Sequence, residues 1–227
     1  MINLHTHTLL SDGELLPSEV VRRAEALGYT AIALTDHVDS SNIDFVLFGL
    51  VKVCRILNRY WDIVVLPGVE VTHAPVEEIG QLVRRARSLG AQVVVGHGET
   101  TWEPVIPGTN RAAIEAGVDL LAHPGRLTHE DALLAKRKGV LLEITTRSGH
   151  SATNRHVVRV GLSVGAKLVI NTDAHSFTNL VPREKARAFL KNLGLKNKDI
   201  EKIFNNAREF LRKRGTTVRN QKKLIFS

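Results

Sequence analysis

The chain opens with the run Ile2-Asn3-Leu4-His5-Thr6-His7, and this run separates two parallel α/β architectures. Residues 2–5 are β-prone and predict a first strand. An open doubly wound sheet would follow that strand with a glycine-rich phosphate loop, but His5-Thr6-His7 follows it here. The opening therefore favours a closed α/β barrel over an open nucleotide-binding sheet.

Beyond the opening, β-prone runs alternate with helical patterns along the chain. Runs such as 31–34 and 93–95 are apolar on both faces, as expected for parallel strands covered by helices. Repeated βα units without a linker predict one domain, an α/β barrel. The candidate strands span residues 2–5, 30–36, 62–70, 92–97, 118–123, 140–145 and 167–172. The amphipathic stretches between them cover residues 17–27, 76–89, 111–116, 130–138 and 152–164.

The C-terminal part departs from this alternation. We expect residues 1–197 to form the barrel, and residues 198–227 to form a helix and tail packed on it or extending from it. Residues 198–214 predict an amphipathic helix, and residues 215–227 predict a basic tail. The apolar segment 43–60 predicts a core helix.

Composition narrows the function classes. The chain has 227 residues, 43% hydrophobic and 24% charged, and no apolar run approaches the roughly 20 residues of a membrane helix. The opening lacks the basic and apolar regions of a signal peptide, so we expect a cytoplasmic protein without a membrane partner. Cys54 is the single cysteine, which excludes an internal disulfide and a thiolate site of the finger type. Any metal must therefore be held by His, Asp and Glu.

The positive charge is concentrated at one end of the chain. The net charge is +8, but residues 182–227 hold 14 Lys or Arg against 4 Asp or Glu. That leaves 17 against 19 for residues 1–181, so the body of the protein is nearly neutral. Basicity of this kind raises nucleic acid as an alternative partner only for the C-terminal segment. The low Gln, Cys and Met content beside many Lys and Arg resembles that of thermophile proteins.

Imidazoles and carboxylates fall at the ends of the predicted strands. In a parallel barrel, all carboxyl ends of strands lie on one face, where active sites of this architecture are built. A lone His at such a place is usually structural, but five strand ends that supply His favour metal ligation over packing. The residues at these positions are His5, His7, Asp36, His37, Glu70, His97, His123, Asp173 and His175.

These motifs resemble those of the PHP (polymerase and histidinol phosphatase) family. The resemblance reaches to about residue 190 and is highly specific, because every ligand-bearing motif is present. It implies a distorted (β/α)7 TIM-like barrel that binds up to three divalent ions and hydrolyses phosphoesters. The motifs are His5-Thr6-His7-Thr8, Ser11-Asp12-Gly13, Thr35-Asp36-His37, Gly68-Val69-Glu70, His97, His123-Pro124-Gly125 and Asn171-Thr172-Asp173-Ala174-His175.

The resemblance also implies which residues would bind each ion. Imidazole mixed with carboxylate suits Zn, Mn or Fe better than Mg or Ca, and we expect two to three such ions. Glu70 would bridge two of them. The resemblance assigns His5, His7, Glu70 and Asp173 to a first ion, Asp12, His37 and His175 to a second, and Glu70, His97 and His123 to a third.

The chemistry of phosphoester hydrolysis agrees with such a cluster. The reaction needs a nucleophile at neutral pH and neutralisation of charge on the phosphoryl group. Ions about 3.5 to 4 Å apart supply both, through a hydroxide held between them and through direct phosphate coordination. Asp36 precedes a predicted ligand, and we interpret it as a catalytic candidate that orients this ligand without binding metal.

Four other residues are candidates for contacting substrate. Arg126 and Arg147 lie on the predicted active face, where a guanidinium group clamps phosphate bidentately, and both are also catalytic candidates. A surface ion pair explains either arginine equally well. His73 and His150 follow the third and sixth strands as candidate substrate-binding groups, and loop packing is the alternative for each.

Three functions are compatible with these residues. The first is a phosphomonoesterase for a small phosphorylated substrate, with histidinol-phosphate phosphatase as the family precedent. The second is a nuclease that acts on nucleic-acid ends or nucleotides. The third is a structural or RNA-binding subunit, as in a similar barrel of archaeal ribonuclease P. The complete ligand set argues against the third, because a structural descendant has no need of buried charges.

Overall fold

The computed structural model describes residues 1–215 of the chain. The predicted basic tail therefore lies outside the described residues, apart from Gly215. Eight parallel strands form the sheet, and seven follow one another in the order β1-β2-β4-β5-β6-β7-β8. The strands are β1 (Ile2–Asn3), β2 (Ala31–Leu34), β3 (His37–Val38), β4 (Val64–Val71), β5 (Val93–His97), β6 (Leu120–Ala122), β7 (Leu141–Thr145) and β8 (Leu168–Asn171).

The barrel closes just beyond the first and last strands. A parallel bridge joins Thr6 to Ala174, and the backbone N–H of His7 donates to the carbonyl of Ala174 at 2.9 Å. The N–H of Asp173 donates to the carbonyl of His5 at 3.1 Å. The closure thus brings the first ligand motif, at residues 5–7, next to the last one, at residues 173–175. The prediction of a single-domain, TIM-like barrel of seven strands is confirmed.

The predicted second strand differs from the observed one. Residues 30–36 were expected to be continuous, but β2 ends at Leu34 and the short β3 begins at His37. At Thr35, between the two strands, the hydroxyl accepts a hydrogen bond from the N–H of Thr6 at 3.0 Å, and the backbone N–H donates to the carbonyl of Thr6 at 2.8 Å. His37 then pairs with Glu70 on β4. The break therefore places His37 beside Glu70 in the site.

Eight α-helices cover the barrel within residues 1–215. Their ends follow local signals: Pro17 occupies the first turn of α1, and the Thr128 hydroxyl caps α5 by accepting from the N–H of Asp131. The helices are α1 (Pro17–Ala26), α2 (Ile43–Tyr60), α3 (Ile79–Ser88), α4 (Thr109–Ala116), α5 (His129–Lys138), α6 (Asn154–Val164), α7 (Arg183–Asn192) and α8 (Asn197–Lys213). None of the eight is both long and apolar enough to cross a membrane.

Helix α8 covers the end of the barrel where the strands begin. Its Ala207 and Leu211 pack against the side chains that fill the barrel interior, and Asn206 donates to the carbonyl of Leu168 at 2.8 Å. The charge of α8 therefore lies at the end of the barrel opposite the carboxyl ends of the strands. The interior side chains include Leu4, Ala33, Leu66, Val95, Leu120 and Val169.

Candidate metal centre

The nine residues that the sequence predicts as ligands lie together at the carboxyl ends of the strands. Their ligand atoms form overlapping groups in which all atoms are within 4.8 Å of one another. We call these nine residues the inner cluster. The groups are His7, Asp12, His37 and His175; His5, His123 and Asp173; His5, His7 and Glu70; and Glu70, His97 and His123.

Glu70 lies at the centre of the inner cluster. Its Oε2 atom is 3.2 Å from His5 Nε2, 3.5 Å from His7 Nε2 and 3.0 Å from His37 Nδ1. Its Oε1 atom is 3.5 Å from His123 Nε2, and the side chain is fully buried. Because β4 is the longest strand, it carries this carboxylate into the middle of the site. Glu70 alone is shared by two of the ligand sets that the resemblance implies.

The deepest ligand set contains His5, His7 and Asp173. Asp173 Oδ1 is 3.2 Å from His7 Nε2 and 3.6 Å from His5 Nε2. The two imidazole Nε2 atoms are 3.0 Å apart. With Glu70, these residues surround one point with imidazole and carboxylate donors.

A more open ligand set contains Asp12, His37 and His175. Asp12 Oδ2 is 3.2 Å from His175 Nε2, and Asp12 Oδ1 is 3.6 Å from His37 Nε2. The His7 ring lies between the two imidazoles, with centroids 4.1 Å from each. The Asp12 side chain is 55% exposed, so solvent reaches this part of the inner cluster.

The third set joins Glu70 to His97 and His123. The two rings meet edge to face at 4.5 Å, and both side chains are buried. His97 Nδ1 donates to the carbonyl of Gly98 at 3.1 Å, which leaves Nε2 as the atom that faces the site.

Unsatisfied polar atoms test whether divalent ions fit this cluster. Among residues 1–215, six buried side-chain polar atoms lack a hydrogen-bond partner, and four of them belong to His7, Glu70 and His123. The imidazoles around Glu70 are close but poorly directed for hydrogen bonds, so both carboxylate oxygens stay unsatisfied. Buried polar groups are otherwise nearly always paired. Cations ligated by Glu70 would satisfy both of its oxygens, so the residues fit a metal centre.

The electrostatics of the inner cluster are those of tightly coupled charges. Burial lowers the pKa of His5, but Glu70, Glu143 and Asp173 outweigh burial and raise that pKa well above its usual value. Burial raises the pKa of Glu70, but His5 and His37 outweigh it and hold the pKa well below its usual range. Glu70 is therefore a carboxylate that needs cationic neighbours.

Sequence reasoning missed Glu143 on β7, which lies directly behind the inner cluster. Its Oε1 accepts from His5 Nδ1 and from the Asn171 amide, both at 2.9 Å, and its Oε2 accepts from the N–H of His123 at 3.0 Å. Glu143 thereby fixes the ring of His5 so that Nε2 faces Glu70 and Asp173. A charged residue inside the apolar run Leu141–Thr145 was the available signal.

Asp36 holds the loop that follows β1. Its Oδ1 accepts from the N–H of Thr8 at 2.7 Å and from the Ser11 hydroxyl at 2.8 Å. The carboxylate is buried and has no ion pair with the inner cluster within residues 1–215. It therefore supports the loop between His7 and Asp12, and among the described residues it makes no hydrogen bond to the His37 ring.

The two candidate arginines lie in different environments. Arg147 Nη1 is 2.6 Å from His175 Nδ1 and donates to the carbonyl of Asp173 at 3.2 Å. Its side chain is 29% exposed at the edge of the inner cluster. Arg126 is exposed and has no ion pair or side-chain hydrogen bond with the described residues. The structure thus brings Arg147 into the site and leaves Arg126 outside its contacts.

His73 and His150 both contact Glu103, which the sequence did not single out. Glu103 Oε2 is 3.1 Å from His73 Nε2 and 3.1 Å from His97 Nε2, and Oε1 is 3.3 Å from His150 Nε2. The His150 ring stacks on His123 at 4.3 Å. Burial, reinforced by His123, lowers the pKa of His150 to about 3. Glu103 lies in a loop, where no strand periodicity could indicate it.

Comparison with known proteins identifies the family. The PHP domain model matches residues 3–181, so the chain belongs to the PHP domain family. An uncharacterized protein of Methanocaldococcus jannaschii is 44% identical over 201 residues, which cover 88% of this chain and 92% of that one. A probable phosphatase of Thermoanaerobacter sp. is 27% identical over 241 residues, covering 95% and 97%. The resemblance drawn from the motifs is confirmed.

Solved structures share the fold. A chain in archaeal ribonuclease P with mature tRNA superposes with a TM-score of 0.70 at 20% identity, and 99% of each chain is covered. Histidinol phosphate phosphatase from Lactococcus lactis, complexed with zinc, L-histidinol and phosphate, has a TM-score of 0.58 at 16% identity. That match covers 95% of this chain and 94% of the phosphatase. At these identities the likeness concerns the barrel alone.

Proposed function

We propose that this protein is a metal-dependent phosphomonoesterase that hydrolyses phosphate esters of small molecules. The observation that carries the proposal is the inner cluster, in which nine His, Asp and Glu side chains converge and leave four buried polar atoms unsatisfied. Such a cluster is too costly to bury for packing alone. Its donor set fits two to three ions of Zn, Mn or Fe.

Each group of residues has a distinct task in this proposal. Bound ions supply a nucleophile from water at neutral pH and neutralise the charge of the phosphoryl group. Glu70 would ligate two of them, and Glu143 fixes the ring of His5. The Arg147 guanidinium, part-exposed beside Asp173 and His175, is placed to donate to phosphate oxygens. Asp36 keeps the loop of His7 and Asp12 in place.

The known proteins support the same reaction class. PHP domain membership and the relatives named probable phosphatases favour phosphoester hydrolysis. A similar barrel binds zinc, L-histidinol and phosphate in the Lactococcus lactis phosphatase, which supports a small substrate of the histidinol-phosphate type and zinc as one of the ions. The partner is then a small phosphorylated molecule.

A nuclease remains the second candidate, favoured by the basic C-terminal segment. The position of that charge argues against it, because α8 packs at the opposite end of the barrel from the inner cluster. The RNA-binding reading drawn from ribonuclease P rests on a shared barrel at 20% identity and does not explain the ligand set.

A substrate screen at two salt concentrations separates the candidates. Mn- and Zn-loaded protein would be assayed with small phosphomonoesters, phosphodiesters and short oligonucleotides. We expect turnover of phosphomonoesters with a mild salt dependence. A nuclease that uses basic residues should instead cleave oligonucleotides, with affinity that falls steeply as salt rises. Preferential, salt-sensitive oligonucleotide cleavage would replace the phosphatase by the nuclease.

A further inference from the structure

A second group of side chains that could bind a metal ion lies at the mouth of the barrel and shares only His97 with the inner cluster. His73, His97 and Glu103 each place one ligand atom within 4.8 Å of the others. Exposure rises outwards across them, from 2% for the side chain of His97 to 33% for Glu103 and 45% for His73. We call these three residues the outer group.

The backbone of His73 marks it as more than a loop residue. Among residues 1–215, three non-glycine residues have positive φ angles: His73 at 50°, His123 at 24° and Asp173 at 49°. The other two belong to the inner cluster. Such conformations are strained for non-glycine residues and persist where the surrounding structure requires them, often at functional sites. The ring of His73 is half-exposed, so burial does not account for its strained backbone. Its contact with Glu103 is the interaction that holds the ring in place.

The loop that carries Glu103 is fixed at several points. Glu99 Oε1 accepts from the N–H groups of Gly108 and Asn110, both at 2.9 Å, and so closes the loop on itself. Thr100 Oγ is 2.8 Å from His150 Nδ1. Further along, Trp102 lies against Gly149, where any side chain would collide with the indole ring. The carboxylate of Glu103 is therefore presented to the imidazoles by a supported loop.

His97 belongs to both groups but serves one ion at a time. Its Nδ1 donates to the Gly98 carbonyl, so Nε2 is its one ligand atom. On the inner side this atom faces the set of Glu70 and His123, and on the outer side it lies 3.1 Å from Glu103. The two positions are therefore alternatives for a single ion.

We propose that His73, His97 and Glu103 form an outer position for the third divalent cation, from which the ion passes to Glu70, His97 and His123. The inference rests on the proposed function, because it presupposes the inner ions. The donor set of two imidazoles and one carboxylate is that of a Zn site with open positions. The distances of 3.1 Å around Glu103 match those of 3.0 to 3.6 Å between ligands of the inner cluster.

Anomalous diffraction at the zinc edge tests the outer position directly. His123→Asn removes an inner ligand, and Asn tolerates the positive φ of this position better than Ala does. In zinc-soaked crystals of this variant we expect a peak about 2.0 to 2.2 Å from donor atoms of His73, His97 and Glu103. Adding Glu103→Gln should remove the peak. Adding Glu130→Gln, an exposed change on α5, should leave it.

Filled first and second positions beside an empty outer one would overturn this inference and leave the proposed function standing. Positions that are empty throughout, in wild type as well, would overturn both. Should His123→Asn fail to fold, stopped-flow zinc uptake by the chelator-stripped wild type replaces it. His73→Asn and Glu103→Gln should each lower occupancy of the outer position at least about 10-fold, and uptake of the last ion through it should slow in proportion. An unchanged rate would overturn the inference.

Discussion

His5 Nδ1 lies 2.9 Å from Glu143 Oε1, and both side chains are fully buried. The carboxylate accepts this proton together with those of Asn171 and the His123 backbone. One buried anion on β7 therefore orients groups from three different strand ends. The positions of the ligands in the inner cluster therefore depend on the closed barrel, because β1, β6 and β8 must all be in register with β7.

Glu143→Gln should weaken metal binding without removing a ligand. Gln offers one acceptor oxygen where Glu offers two, so at least one of the three donors loses its partner. We expect metal affinity to fall about 10- to 100-fold, as for other groups that orient ligands. Chelator competition measures it. Asn206→Asp, a buried polar change at the other end of the barrel, should affect stability but not metal affinity. Equal affinity in both variants would show that Glu143 is only structural.

Glu70→Gln should have a larger effect than His97→Gln. Glu70 belongs to two ligand sets, and removing its charge leaves two ions with uncompensated repulsion, whereas His97 serves one ion. We expect turnover to drop by orders of magnitude in Glu70→Gln, with loss of bound metal measured by elemental analysis. Circular dichroism should show that the fold survives, because residues at this face serve function more than stability. Normal metal content in Glu70→Gln would refute the bridging role.

Removing the metal should destabilise the protein. Ions that bind only the folded chain stabilise it by about 4 kcal/mol at a free concentration 1,000 times Kd. For a chain of this size, that corresponds to a rise in Tm on the order of 10 °C, measured by calorimetry with and without chelator. Glu70→Gln should show a much smaller shift. A Tm that does not respond to zinc or manganese would contradict a structural coupling between ions and barrel.

The loop after β6 makes a close approach that only glycine permits. At Gly125, with φ of 61°, a Cβ atom would collide with the carbonyl group of Glu99, whereas at Gly139, with φ of 75°, nothing lies within 4 Å. Both alanine variants incur the left-handed backbone cost of about 1 to 2 kcal/mol. Gly125→Ala should lose a further 1 to 3 kcal/mol, roughly, through the collision. Urea unfolding midpoints measure this difference, and equal midpoints would contradict the loop contact.

The sequence predicted the barrel and the inner cluster because residue patterns along the chain indicate both. The apolar runs indicated the strands, and the ligand motifs stand at strand ends such as Glu70 and His97. Helix α7 was not predicted, since only Ala186 and Leu190 of its ten residues are buried. The break between β2 and β3 was missed because the hydrogen bonds of Thr35 at this point are tertiary contacts.

The residues that support the ligands could not be found in the same way. Glu143 interrupts an apolar strand, but only the closed barrel shows that it meets His5. Glu103 lies on a loop whose path is set by Glu99 and Trp102 rather than by any periodic pattern. Arg126 and Arg147 look alike in sequence, and only the structure separates the arginine in the site from the one outside it.

The inner cluster is proposed to hydrolyse phosphomonoesters with bound metal, and this activity is measurable. Its most direct measurement is phosphate release from a chromogenic phosphomonoester while chelator-stripped protein is titrated with Mn²⁺ or Zn²⁺. We predict no turnover in the stripped protein, and turnover that rises as two to three ions bind per chain. Full activity without metal, or no activity at complete metal occupancy, would contradict a metal-dependent phosphomonoesterase.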